Sequence, residues 1–137
     1  MKQITEDYVS FETAQLLKEK EFDEICSYIW GITHINKSCV LQKWIITNGQ
    51  IKNSDLTDGA YTAPTQSLAL KWLREVHNQI IIIKYGNVGF VEESILQWWW
   101  ELLNTKGELH ACNIVDGNKS YEEAVEAALK YTLENLI

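Results

Sequence analysis

Proline is all but missing from this chain: Pro64 is the only one in 137 residues, and seven glycines add few further places where regular structure must break. That scarcity excludes collagen-like, proline-rich and low-complexity classes, and order is expected nearly from end to end. Long apolar runs are missing too. The longest purely aliphatic stretch is Ile80 to Ile83, far short of the roughly 20 residues that a membrane helix needs. Glu6 and Asp7 stand where a secretory leader would require apolar side chains, so the expectation is a cytoplasmic protein with no membrane segment. Cysteine is scarce and odd in number. With Cys26, Cys39 and Cys112, any disulfide would leave one thiol unpaired, and nothing calls for an oxidising compartment.

Clustered positive charge is a fourth absence. The net charge is -7, and the acidic excess sits at the two ends while residues 31–107 are close to balance. A phosphate backbone is bound by grouped Lys and Arg that release counterions, so direct nucleic-acid binding is not expected. His34, His77 and His110 are scattered, and the paired-cysteine spacing of a structural zinc site does not occur. No metal or other cofactor is expected. No glycine-rich phosphate loop, metalloprotease helix or nucleophile elbow is present, and Gly86–Gly89 lacks the lysine and hydroxyl of a nucleotide cradle. No catalytic residue is therefore assigned, and the balance leans away from an enzyme.

What is present suits an ordinary globular fold. At this length about two thirds of the unfolded surface can be buried, which favours a single domain over 1–137 with one core. Three amphipathic helices are predicted, at about 10–20, 65–77 and 120–136. Ser10 caps the first, whose Phe11, Ala14 and Leu17 recur at three-residue steps. Pro64 suits the first turn of the second, where Leu68, Ala69, Trp72, Leu73 and Val76 form one stripe and Asn78 is the stop. Lys71 and Glu75 lie one turn apart on its wet side. Ser120 followed by Glu123 has capping-box spacing for the third, whose inward face reads Tyr121, Ala124, Val125, Ala128, Leu129, Thr132, Leu133 and Leu136.

Between them come aromatic and β-branched stretches. SYIWGI reads as a strand, VLQKWIIT with Asn48–Gly49 and QIKN as a hairpin, and NSDLTDGAYTA as a loop. QIIIIKY reads as a buried strand, with Gly86 and Asn87 turning the chain after it. The fold class is α+β: an antiparallel sheet of about three to five strands with the helices packed mainly on one face.

The run QWWWELL, Gln97 to Leu103, fits two local structures. As a helix it would put Leu96, Trp99, Trp100 and Leu103 on one side; as a strand it would alternate Leu96, Trp98, Trp100 and Leu102 against Gln97, Trp99, Glu101 and Leu103. The continuation favours the strand, because NTKG can turn with Gly107 left-handed into a return strand ending near Asp116 and Gly117. Trp98 and Trp100 then face the helices. Trp99 and Glu101 face away, either as a stacking surface for a partner or covered by Leu109, Tyr85 and the loops at 31–63.

Arg74, Glu75 and His77 form the densest polar group on an apolar helix. Arg74 could grip a carboxylate or phosphate with two bonds, and His77 sits in the last turn where positive charge is favoured. The plain alternative is a solubilising surface with an intrahelical ion pair. His110 and Cys112 share a strand face and offer either a chance pair or a thiol with a nearby base.

The segments APTQSLALKWLREVHN, WWWELLNTKGEL, SYEEAVEAALKYTLENLI and YVSFETAQLLKEKEFDE together resemble a group of small proteins of gut Bacteroidales bacteria and of the phages or integrated elements of those hosts. The likeness spans most of the chain outside 35–60, and the triple tryptophan departs from the group's usual mixture of tyrosines and aliphatics. The group has no established activity, so the resemblance implies a phage or mobile-element setting and a strand at QWWWELL, and no site residue. The expected function is a non-catalytic protein-interaction module with an unidentified protein partner and a homodimer left open, its binding residues drawn from Trp99, Glu101, Arg74, Glu75 and His77. The alternative is a small-ligand-binding or hydrolytic protein with a cleft near Arg74, His77 and Cys112.

Overall fold

The structure, a computed structural model, describes residues 2–32, 39–43, 49–88 and 95–137. The class is α+β as the sequence predicts, with three α-helices and antiparallel three-stranded sheets. Two compact units divide the chain, Met1–Ser67 and Leu68–Ile137.

In the first unit, α1 (Phe11–Glu19) begins where Ser10 accepts a hydrogen bond from the Thr13 N–H, as its spacing predicts. It ends in a pair of reversed bonds: Glu21 N–H donates to the Lys18 carbonyl and Phe22 N–H to that of Leu17. This closure puts the residue after the cap in the left-handed region, and Glu21 has φ 68° there without being glycine. Such a conformation costs about 1 kcal/mol in a residue with a Cβ, and the full burial of Phe22 just beyond it offsets the strain.

The sheet of this unit has the order β2–β1–β3. β1 (Tyr28–Ile32) pairs with β2 (Cys39–Lys43) on one side and β3 (Ala60–Thr62) on the other. β1 is the strand read at SYIWGI, whereas residues 44–48 of the expected Asn48–Gly49 hairpin lie outside the described residues. The stretch read as a plain loop is more ordered than that: Asn53–Asp55 makes a 3-10 turn and Ala60–Thr62 a strand. A buried amide is the reason. Asn53 donates from Nδ2 to the Phe22 carbonyl at 2.7 Å and accepts from the Thr62 N–H at Oδ1 at 2.9 Å, tying the end of α1 to β3.

In the second unit, β4 (Ile80–Val88) and β5 (Ile95–Leu103) pair antiparallel over nine positions, from Ile80 opposite Leu103 to Val88 opposite Ile95. QWWWELL is therefore extended. β6 (Leu109–Cys112) adds to the other edge of β5 after a turn in which Gly107 takes φ 78°. The ladder slips once, so that Leu102 faces Ala111 while Leu103 faces Leu109, leaving His110 as the extra residue.

Beyond β6 the chain keeps hold of β5 through amides. The Asn113 side chain accepts from the Trp100 N–H at 2.8 Å, and Asn118 exchanges both backbone bonds with Trp98. Two residues later Ser120 caps α3 (Tyr121–Asn135) by accepting from the Glu123 N–H, while the Glu123 carboxylate reaches the Lys119 N–H rather than that of Ser120.

α3 packs on β5 and, less extensively, on β4. Trp100, Leu102 and Ala128 form the buried centre of this contact, with Ile81, Ile83 and Ala111 around it. Ala124, Val125, Ala128, Leu129, Thr132 and Leu133 are buried as the periodicity predicts. Tyr121 and Leu136, predicted inward, are exposed because they lie at the two ends of the helix. Tyr131, absent from the predicted face, packs its ring 5.1 Å from that of Trp100.

The helix ending at Val76 is α2 (Gln66–Val76). It starts two residues after Pro64, not in the same turn. The Pro64 carbonyl accepts from Val9, and the Gln66 N–H of the first turn donates to the Asp7 carbonyl. Asn78, the predicted stop, is left-handed at φ 56°.

Because Asn53 replaces two backbone partners at once, Asn53→Ala is expected to lower stability by about 2–3 kcal/mol. Urea unfolding followed by circular dichroism measures the loss. A loss below half a kcal/mol would show that the clamp contributes little.

Candidate functional site

In an antiparallel pair, directly opposed side chains share a face. The nine-position register therefore assigns every side chain of the hairpin. Ile81, Ile83, Tyr85, Trp98, Trp100 and Leu102 lie on the α3 side, and Ile80, Ile82, Lys84, Gly86, Gln97, Trp99, Glu101 and Leu103 on the other. Burial agrees: Trp100 and Leu102 are enclosed, and Trp98 rests between the rings of Tyr85 at 4.9 Å and Tyr121 at 5.6 Å. Trp99 is half-buried on the opposite face.

Three neighbours hold the Trp99 indole. Lys84 stands directly across the ladder, in place of the Tyr85 or Leu109 expected from sequence. Glu101 makes an ion pair with Lys84 at 3.0 Å and accepts a long bond of 3.4 Å from the indole Nε1. Gly86, diagonal to Trp99, supplies the space. A Cβ there would come within 3.2 Å of two ring carbons of Trp99. This corrects the reading of Gly86 and Asn87 as a turn. Both lie within β4, and glycine stands at 86 because a six-membered ring lies against its backbone. The ion pair is half-exposed and contributes about 0.3–1 kcal/mol; its larger effect is to neutralise the cation directly across the ladder from the indole.

The polar residues of α2 do not join this group. Arg74 and Glu75 are exposed, and among the described residues no hydrogen bond, ion pair or ring contact links them to Trp99 or Glu101. Lys71 and Glu75 form no ion pair within 4.0 Å among those residues. His77 turns inward instead, its ring 4.5 Å from that of Trp72 at 70° and its Nε2 buried with no partner among the described residues. Cys112 lies opposite Glu101 on the Trp99 face and is exposed. The outer face thus collects Trp99, Glu101, Lys84 and Cys112, of which sequence reasoning named all but Lys84. Only the cross-strand register, which depends on the length of the β4–β5 connection, could have found it.

Cys26 and Cys112 differ in chemistry. Burial pushes the Cys26 thiol up from 9.0 to about 11. Its Sγ lies 3.6 Å from the Glu24 carbonyl. The described histidines, cysteines and carboxylates include no group of three placed to hold a metal ion. Compared with protein-family models, curated proteins and solved structures, the chain matches none.

Gly86→Val is expected to cost about 1–3 kcal/mol by forcing the indole aside, and to cost less in a Trp99→Ala background. Denaturant midpoints of the two single variants and the double variant measure this coupling; equal costs in both backgrounds would show that the ring does not set the requirement for glycine. Iodoacetamide at pH 8, read by peptide mass spectrometry, is expected to modify Cys112 and to spare Cys26 until the chain unfolds. Since the folded chain keeps the Cys26 proton where the unfolded chain releases it, stability is expected to fall as pH rises from 9.0 toward about 11.

Proposed function

We propose that the chain is a non-catalytic protein-interaction module of phage or mobile-element origin, and that it meets a protein partner through the outer face of the β4–β5–β6 sheet around Trp99. The observation that carries this reading is the fixed, half-exposed indole: Trp99 is held from one side by the space at Gly86 and from another by Glu101. A tryptophan ordered before binding loses little further side-chain freedom on contact, and such residues are common anchors of interfaces. Ile80 and Ile82 share its face and are also half-buried, so a partner would cover apolar surface around it. Lys84, directly across the ladder from the ring, already has its charge compensated by Glu101.

The mobile-element setting rests on the resemblance of APTQSLALKWLREVH and the closing helix to proteins of Bacteroidales hosts and their phages. Arg74 and Glu75, exposed on α2, are the second surface in this reading.

Affinity capture from a Bacteroidales lysate, with the captured proteins identified by mass spectrometry, tests the surface. A discrete partner retained by the native chain is expected to weaken about 30-fold or more with Trp99→Ala, the loss associated with an aromatic anchor, while circular dichroism shows the variant folded. Equal capture by both chains, or no discrete partner, would remove the proposed surface.

A further inference from the structure

The hydrogen bonds of β5 determine which backbone groups β4 leaves free. Trp98 exchanges bonds with Asn118, and Trp100 bonds Asn113 through both its N–H and its carbonyl, so the even residues of β5 point away from β4. The odd residues of β5 therefore bond β4. Their partners across the ladder are Ile80, Ile82, Lys84, Gly86 and Val88. It follows that Ile81, Ile83, Tyr85 and Asn87 direct their N–H and carbonyl groups to the outer edge. Among the described residues no strand, turn or side chain bonds these groups.

Such an edge is ordinarily guarded by proline, a bulge, a short length, a charged side chain or a covering helix or loop. β4 has nine residues and no proline, and its ladder with β5 runs without a slip. Its single charge, Lys84, is bound to Glu101. The side chains belonging to the free backbone groups are apolar as well: Ile81 and Ile83 border the core beneath α3 incompletely covered, and Tyr85 is 55% exposed.

We propose that the free edge of β4 is a homodimerisation surface, on which a second copy of this chain pairs its own β4 antiparallel about a two-fold axis at Ile83. Two three-stranded sheets then become one of six strands.

A second copy suits this edge because the edge is self-complementary. With Ile83 opposite Ile83, Ile81 of each copy exchanges both bonds with Tyr85 of the other, and the half-bare tyrosine lies over an isoleucine on the α3 side. Sliding the axis to position 84 would set two lysines directly opposite, which is unfavourable. Sliding it to 82 would leave Tyr85 facing Gln79. This surface is separate from the Trp99 face and does not rest on the function proposed above.

Sedimentation of the full-length chain across a concentration series, combined with residue-resolved amide exchange by NMR, tests the proposal. The expected result is a species of twice 15.8 kDa at high concentration, in which the amides of Ile81, Ile83 and Tyr85 exchange slowly and become fast on dilution. Tyr85→Pro removes an outward N–H without touching the bonds to β5, and it should shift the chain to monomer. The exchange pattern of the native chain decides the matter even if that variant does not fold. A monomer at every concentration overturns the proposal, as does a dimer whose odd-numbered β4 amides remain fast.

Discussion

The uninterrupted ladder between β4 and β5 is the constraint from which the second unit follows. Side chains in a strand alternate strictly between faces, so one register fixes the destination of every residue in the hairpin. A slip of one position would send Trp98 and Trp100 outward and Trp99 and Glu101 under α3. The register keeps Trp100 and Leu102 against Ala128 and leaves the charged pair Lys84 and Glu101 on the side where water reaches it. Three adjacent tryptophans thus have separate environments: one enclosed, one wedged between two tyrosine rings, one half-exposed against glycine.

Asparagine does much of the remaining joining, in both units. Asn53 links the end of α1 to β3, and Asn113 extends the hydrogen bonding of β5 past the last residue of β6. An amide side chain carries the same donor and acceptor as a peptide group, so it can finish a ladder where the backbone has already turned away. The geometry of Asn113, Gly117 and Asn118 returns the chain to β5 just before the cap of α3, which fixes where that helix starts over the sheet.

Much of what is encoded by neighbours a few residues apart was legible in the sequence. Ser10 and Ser120 announce their helices because a hydroxyl reaches an N–H three positions on, and Asn78 announces a stop because it tolerates left-handed backbone. The extended form of QWWWELL was legible from alternation together with the Gly107 turn. The placement of Trp99 and Glu101 on the face opposite α3 followed from the same period. Contacts between distant positions left no such trace. Gly86 and Asn87 have turn composition, and only the indole arriving from β5 explains the glycine. Asn53 sits in a stretch rich in loop-forming residues, and its two partners are 31 and 9 positions away. His77 looked like part of a polar patch because spacing along a helix cannot show that its ring folds back on Trp72.

On β4 a single parity governs two things at once. The residues that contribute side chains beneath α3 are the same residues whose amide groups face outward, because a strand presents alternate side chains and alternate backbone groups in step. Mutational drift in this strand is therefore coupled. A substitution that refines interior fit at Ile81 or Ile83 also changes the texture of the rim, so selection acting on either property would constrain the other.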